Sequence, residues 1–256
     1  MRYEIAGTTM QTVSIDLMPG EKVYSQTASM AWMSESIAMD THTGGGLFAG
    51  LKRAVSGGGL FITEFGARSP GHVAFAPRFP GQIIPRVLAA GESLICRKET
   101  FLCAESSVTL DIFVQQRLGA GLFGGEGFIL QRVTGPGTVF LDLSGEVVEK
   151  TLAPGEKLLV HAGHIGMQEP SVTVDFQMMR GFRNVLFGGE GLFLATLTGP
   201  GKIWLQSMPI MNLAEEIARF LPSSGERGSS GGSGALGTGL AAGAIGGVLG
   251  SIFGGD

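Results

Sequence analysis

Apolar and polar residues alternate with a period of two along most of this chain. Val13, Ile15 and Leu17 alternate with Ser14 and Asp16, and Val139, Leu141 and Leu143 with Phe140 and Asp142. Ile37 and Met39, Val108 and Leu110, and Val172 and Val174 alternate in the same way on the approach to Asp40, Asp111 and Asp175. Successive side chains of a strand point to opposite faces, so the pattern predicts half-buried β-strands throughout. No stretch before residue 209 has a long helical period. From Pro209 to Leu221 the period changes: Leu213, Ile217, Phe220 and Leu221 form an apolar stripe, with Asn212 as N-cap and Glu215 as its capping-box partner. One C-terminal amphipathic helix over 212–221, docked on the β-body, is expected.

The strand pattern comes in three copies. Pro19-Gly20-Glu21, Ala90-Gly91-Glu92 and Pro154-Gly155-Glu156 are each followed, twenty residues after the Gly, by Asp40, Asp111 and Asp175. Pro presets its own φ and Gly accepts a positive one, so each copy opens on a tight reversal of type II. A second landmark recurs independently. Leu122-Phe123-Gly124-Gly125-Glu126-Gly127, leading to Thr134-Gly135-Pro136-Gly137, returns sixty-four residues on as Leu186-Phe187-Gly188-Gly189-Glu190-Gly191 and Thr198-Gly199-Pro200-Gly201. Gly57-Gly58-Gly59-Leu60-Phe61 and Ser69-Pro70-Gly71 form a looser third copy. The first copy carries extra residues between Thr43 and Ser56, where Leu47, Phe48, Leu51 and Val55 would make one apolar side of two helical turns capping an open end of the core. The expected fold is mainly β: three sequence-related β-units, about 13–84, 85–148 and 149–211, in one sandwich- or barrel-like body with a pseudo-threefold repeat spanning residues 1–222.

Length and charge narrow the partners. At 256 residues the chain can bury a large core. A formal net charge of −4 offers no basic surface for counterion release, so nucleic acid is not a favoured partner. The 43 glycines punctuate alternating strands until the last thirty or so residues. Cys96 and Cys103 have neither the spacing of a metal pair nor the number of a disulfide framework, and read as two buried thiols in a reducing compartment. Met1-Arg2-Tyr3-Glu4-Ile5 has neither an apolar signal core nor an amphipathic transit pattern, so the expected location is cytoplasmic, with any membrane contact peripheral.

Gly189-Glu190-Gly191-Leu192-Phe193 running to Thr198-Gly199-Pro200-Gly201-Lys202-Ile203-Trp204-Leu205-Gln206-Ser207, its earlier copy, and the Gly57 to Phe65 segment ahead of Phe75-Ala76-Pro77 resemble the altered-inheritance-of-mitochondria family, number twenty-four. The resemblance covers about residues 1–222. It implies bacterial relatives of unassigned activity and eukaryotic ones linked to mitochondrial biogenesis. It also implies a fold similar to the tryptophan RNA-binding attenuation protein and a ring-like homotrimer. None of that protein's RNA or tryptophan residues maps onto this sequence.

Candidate chemistry is sparse. His161 and His164, with Glu169 following, are the nearest approach to a metal set; an odd spacing on a strand sends the two rings to opposite faces unless Gly163 turns the chain. Asp40, Asp111 and Asp175 would make a hard-cation site if the copies brought them to a common axis, but a solvated outer face accounts for them better. Gly124, Gly125, Gly127, Gly188, Gly189 and Gly191 lead into strands and lack the Lys-Ser or Lys-Thr of a phosphate loop, so they read as hairpin and bulge glycines that define the repeat. No catalytic residue, cofactor site or nucleophile elbow is expected.

Residues 223–234 are a Gly/Ser linker. The tail, 235–256, is uncharged until Asp256, with Gly239, Gly243 and Gly247 four apart. Small residues at that spacing let helices approach closely in lipid, and Leu240, Ile245, Val248, Leu249, Ile252 and Phe253 would then carry a membrane or self-association contact; a tail free in solution is the alternative. The sequence therefore points to a non-enzymatic oligomeric scaffold or interaction protein with an unknown protein partner. A small-molecule or metal-binding β-barrel is the alternative, and an RNA-binding ring follows from fold analogy alone.

Overall fold

The computed structural model describes residues 1–26, 29–42, 62–116, 128–178 and 193–220. The Thr43 to Ser56 insertion, the glycines of the two long loops from Gly124 to Gly191 and the tail contact residues Leu240 to Phe253 lie outside them. Strands β1 (Arg2–Ala6), β2 (Thr12–Leu17), β3 (Lys22–Gln26), β4 (Met30–Met33), β5 (Ile37–His42), β6 (Ile62–Ala67) and β7 (Gly71–Phe75) come first. They are followed by β8 (Gly81–Leu88), β9 (Ser93–Arg97), β10 (Phe101–Glu105), β11 (Thr109–Gln116), β12 (Phe128–Thr134) and β13 (Gly137–Ser144). The last strands are β14 (Val147–Leu152), β15 (Lys157–His161), β16 (Ile165–Gln168), β17 (Thr173–Met178), β18 (Phe193–Thr198) and β19 (Gly201–Gln206), before helix α1 (Ile210–Phe220). The protein is mainly β.

These strands form four antiparallel sheets. Their orders are β1-β2-β7-β4, β5-β6-β3-β10-β13-β8, β11-β12-β9-β16-β19-β14 and β15-β18-β17. Three apolar cores separate them in sequence. Val13, Ile15, Val73 and Phe75 of the first sheet meet Phe65, Leu102 and Phe140 of the second. The other faces of the second and third sheets meet through Tyr24, Leu141, Cys96 and Trp204. Ile95, Leu130 and Ile203 of the third pack on Val160, Ala195 and Leu197 of the fourth. The two six-stranded sheets are thus covered on both faces, which is why β10 reads Phe-Leu-Cys-Ala with four buried residues in a row and not as an alternation.

The three reversals fold alike. Gly20, Gly91 and Gly155 take φ of 87°, 81° and 76°, the positive values a type II turn requires of its third residue. Glu21, Glu92 and Glu156 each close the turn by donating their N–H to Met18, Ala89 and Ala153 O at 2.9, 3.0 and 3.0 Å. The same three glutamates accept, through Oε2, the N–H of Met18, Ala89 and Ala153 at 2.8, 2.9 and 2.8 Å. Their carboxylates fasten the turns, a role the sequence pattern did not reveal.

Three expectations need correction. Phe140 and Asp142 do not face water opposite Val139 and Leu141, because the first sheet covers that side and buries both. Met39 is 54 % exposed on edge strand β5 and does not share the buried face of Ile37. Helix α1 starts at Ile210 with Leu213 N–H donating to Pro209 O at 3.3 Å, so Asn212 lies inside the first turn and is not its cap. Ile217 and Phe220 of its apolar stripe stay exposed within the single chain.

Candidate functional site at the open edge of β15

β15 belongs to the small fourth sheet and pairs with β18 alone among the described strands, from Lys157 opposite Thr198 to His161 opposite Leu194. Its alternation sends Leu158 and Val160 into the core and leaves Leu159 facing outward. A 3-10 turn, Ala162–His164, carries the chain from β15 to β16. Beside this edge lies an open groove of about 380 Å³, lined by Val148, Leu158, Leu159, His161, His164 and Leu205 among others.

The turn at Gly163 brings the two histidines together, with ring centroids 5.8 Å apart in an edge-on arrangement. His164 Nδ1 lies 2.8 Å from Gln206 O; a carbonyl only accepts, so Nδ1 carries a proton and donates it. Gly163 O is held twice, by Arg97 Nη1 at 3.0 Å and by Gln206 Nε2 at 2.9 Å. Gln206 Oε1 in turn accepts Ser144 N–H at 3.0 Å, which fixes the amide. Burial, then His164, then Arg97 lower the pKa of His161 from 6.5, so it is neutral at physiological pH.

Glu169 does not join this pair. Its Oε2 accepts Lys202 N–H at 2.9 Å, toward the far end of β19 from Gln206. Among the described residues no group of three or more His, Cys, Asp or Glu is placed to hold a metal ion. Two imidazoles supply at most two nitrogen ligands, fewer than the three protein ligands a catalytic zinc ordinarily keeps. Asp40, Asp111 and Asp175 are exposed and lie in three different sheets. Cys96 and Cys103 are free and buried; burial pushes the Cys96 thiol up to about 12 and Cys103 well above its ordinary value, so neither supplies a thiolate.

Other polar and exposed groups carry no signal in the spacing of residues. Arg97 is 6 % exposed, bonded to Gly163 O and paired with Glu99 at 3.0 Å. Asp142 is buried with its Oδ1 unpartnered, and burial raises its carboxyl to about 7. Trp32 stands exposed on edge strand β4. Only the apolar run Met30-Ala31-Trp32-Met33 at a strand with no polar alternation hinted at the last.

Stacked antiparallel sheets, two of them extended where edge strands of successive stretches pair, with a groove beside β15, define the chain as a mainly β protein. The chain belongs to the mitochondrial biogenesis AIM24 family, whose profile matches residues 3–208. It is 31 % identical over 221 residues to an uncharacterized protein of Streptococcus pyogenes serotype M6, covering 83 % of this chain and 87 % of that one. A crystal structure of a Streptococcus pyogenes protein superposes with a TM-score of 0.70 at 27 % identity, covering 86 % of this chain and 99 % of that chain. Membership brings a fold and no assigned activity. Among the described residues no helix is long and apolar enough to cross a membrane.

Proposed function

We propose that this protein is a non-enzymatic β-scaffold of three sequence-related units that assembles as a homotrimer and presents its surfaces to partners three times over. One observation carries the reading. The chain builds both of its large sheets by adding an edge strand of one stretch to an edge strand of the next, β3 to β10 and β9 to β16. A protein that grows by strand addition and ends on open edges is made to associate, since an open edge is a row of unpaired backbone groups. Sedimentation of the full chain at micromolar concentration tests this. A species near three times 26.6 kDa is expected, and a monomer overturns the reading. Tails from three chains would bring the Leu240 to Phe253 segments to a membrane together; truncation after Pro222 should then lower recovery with membranes, and unchanged recovery removes that part.

The His161 and His164 pair favours a second reading, a metal- or small-molecule-binding β-barrel. Elemental analysis of purified protein separates the two. Stoichiometric metal that disappears in His164→Ala supports the second reading, and no bound metal leaves the scaffold.

A further inference from the structure

Resting on that oligomeric reading, we infer that copies join head to tail: β4 of one copy adds to β15 of the next, antiparallel, with Trp32 opposite Val160 and Met33 opposite Leu159. The register comes from the two junctions inside the chain. At the first, Cys103 lies opposite Ser25 and Ala104 opposite Tyr24. At the second, Met167 lies opposite Cys96 and Gln168 opposite Ile95. Counted from Gly20, Gly91 and Gly155, the positions twelve residues on are Trp32, Cys103 and Met167, and the positions five residues on are Ser25, Cys96 and Val160. The two junctions therefore share one register, and β4 and β15 are the two strands of the set that it leaves without a mate.

Strand shape agrees. β10, β16 and β4 each carry the same register shift, between Phe101 and Cys103, Ile165 and Met167, and Met30 and Trp32. Such a shift bends a strand at a fixed place, so β4 already has the form that fits an edge of this kind. Burial agrees as well. Tyr24 and Ile95 are 0 % exposed, whereas Leu159, at the matching place, is 57 % exposed. Cys103 and Met167 are 0 % exposed, whereas Trp32 is 50 % exposed. Among the described strands, β5, β11 and β17 are edges in every copy, whereas β4 and β15 are edges although their counterparts β10, β16, β3 and β9 are paired on that side.

The groove is the seat. Its counterpart beside β9 is filled by β16, whose Met167 packs among Leu88, Leu141 and Trp204. Beside β15 the same space is lined by Val148, Leu158, Leu159 and Leu205 and stands open. Lys150, His161 and His164 also face it, and β4 carries no charge to meet them. Joining the two end sheets would give one seven-stranded sheet, β17-β18-β15-β4-β7-β2-β1, from two copies. The contact is heterologous, so it closes into a ring or runs on as a fibre.

The test places Met33→Cys and Leu159→Cys in the full chain and applies a mild oxidant, with the unsubstituted protein as baseline because Cys96 and Cys103 are buried. Directly opposite strand residues fall within disulfide reach, so interchain bands up to the closed oligomer are expected. The off-register pair Met33→Cys with Lys157→Cys should give none. Leu159→Glu should convert the oligomer to monomer with an unchanged far-ultraviolet spectrum, and adding Met33→Lys should restore it through an opposed charge pair. A trimer that gives no cross-link and ignores Leu159→Glu overturns the edge pairing while sparing the oligomeric reading. A monomer overturns both. Cross-linked fibres uphold the pairing and overturn the trimer.

Discussion

The interior corner at Arg97 and the terminal corner at His161 occupy the same place, six residues after a turn glycine, and meet different fates. At the interior corner the next stretch of chain closes over the position, and the guanidinium is buried against Gly163 O and Glu99. At the terminal corner no further described strand pairs with β15 on that side, and the imidazole lines an open groove, held neutral by burial and by its neighbours. A full charge is tolerated inside because the adjoining strand brings its acceptor with it. Where the described residues supply no such acceptor, the position holds a group that sheds its charge near neutrality.

Ile95→Ala should cost about 2–5 kcal/mol in denaturant unfolding at any protein concentration, as a cavity between two sheets does. Leu159→Ala, at the matching place on β15, should act only through assembly, with a loss that shrinks as the protein is diluted. Equal losses at all dilutions would mean that interior and end do not differ.

Asp142 comes next, because burying a carboxyl makes interior stability depend on pH. Its folded value of about 7 lies above the ordinary 3.8, so the folded chain holds a proton that the unfolded chain releases. Its contribution is complete below about pH 4 and is lost as pH rises through 7. Asp142→Asn should remove this slope and raise stability at pH 8 by about 2–3 kcal/mol, with little change at pH 4. Thermal melts across that range that stay parallel for the two proteins would place the carboxyl in water.

Arg97→Ala should cost about 1–3 kcal/mol through lost hydrogen bonds and packing, with Gly163 O still held by Gln206. His161→Gln, which installs the residue found at the matching position 26, should have the smallest effect and confine it to acid. A depressed imidazole value means the unfolded chain takes up the proton first, so stability is full above about pH 6.5 and falls below it. Both proteins share the Asp142 slope, so the difference between them is the readout: the variant should gain on the parent as pH falls below about 6.5, and a difference that stays constant from pH 7 to 5 would remove His161 as the titrating group.

Much of the local structure was legible in the residues. The reversals at Gly20, Gly91 and Gly155 followed from Gly and Pro chemistry, and the strands before Asp40, Asp111 and Asp175 followed from alternation, because φ preferences and two-faced pleating act within a few residues. The buried state of Cys96 and Cys103 was legible from their number and spacing, which fit neither a metal pair nor a disulfide framework. The helix period was visible while its start was not, since Pro209 O, and not a side chain, accepts from its first turn.

The candidate site was legible only in part. Spacing allowed His161 and His164 to meet through Gly163, but nothing in it separated Glu169, whose partner is a backbone N–H on β19. Phe140 and Asp142 misled because alternation reports one covered face, and it takes a second sheet to cover the other. Edge pairing left the weakest trace, since β3 joins β10 and β9 joins β16 through backbone groups that every residue possesses. Where the chain turns, which segments are strands and which positions correspond were legible from the residues alone. Which strand edges pair, β3 with β10 and β9 with β16, while β4 and β15 stay edges among the described strands, came only from the folded arrangement, because backbone hydrogen bonds between distant strands carry no side-chain signature.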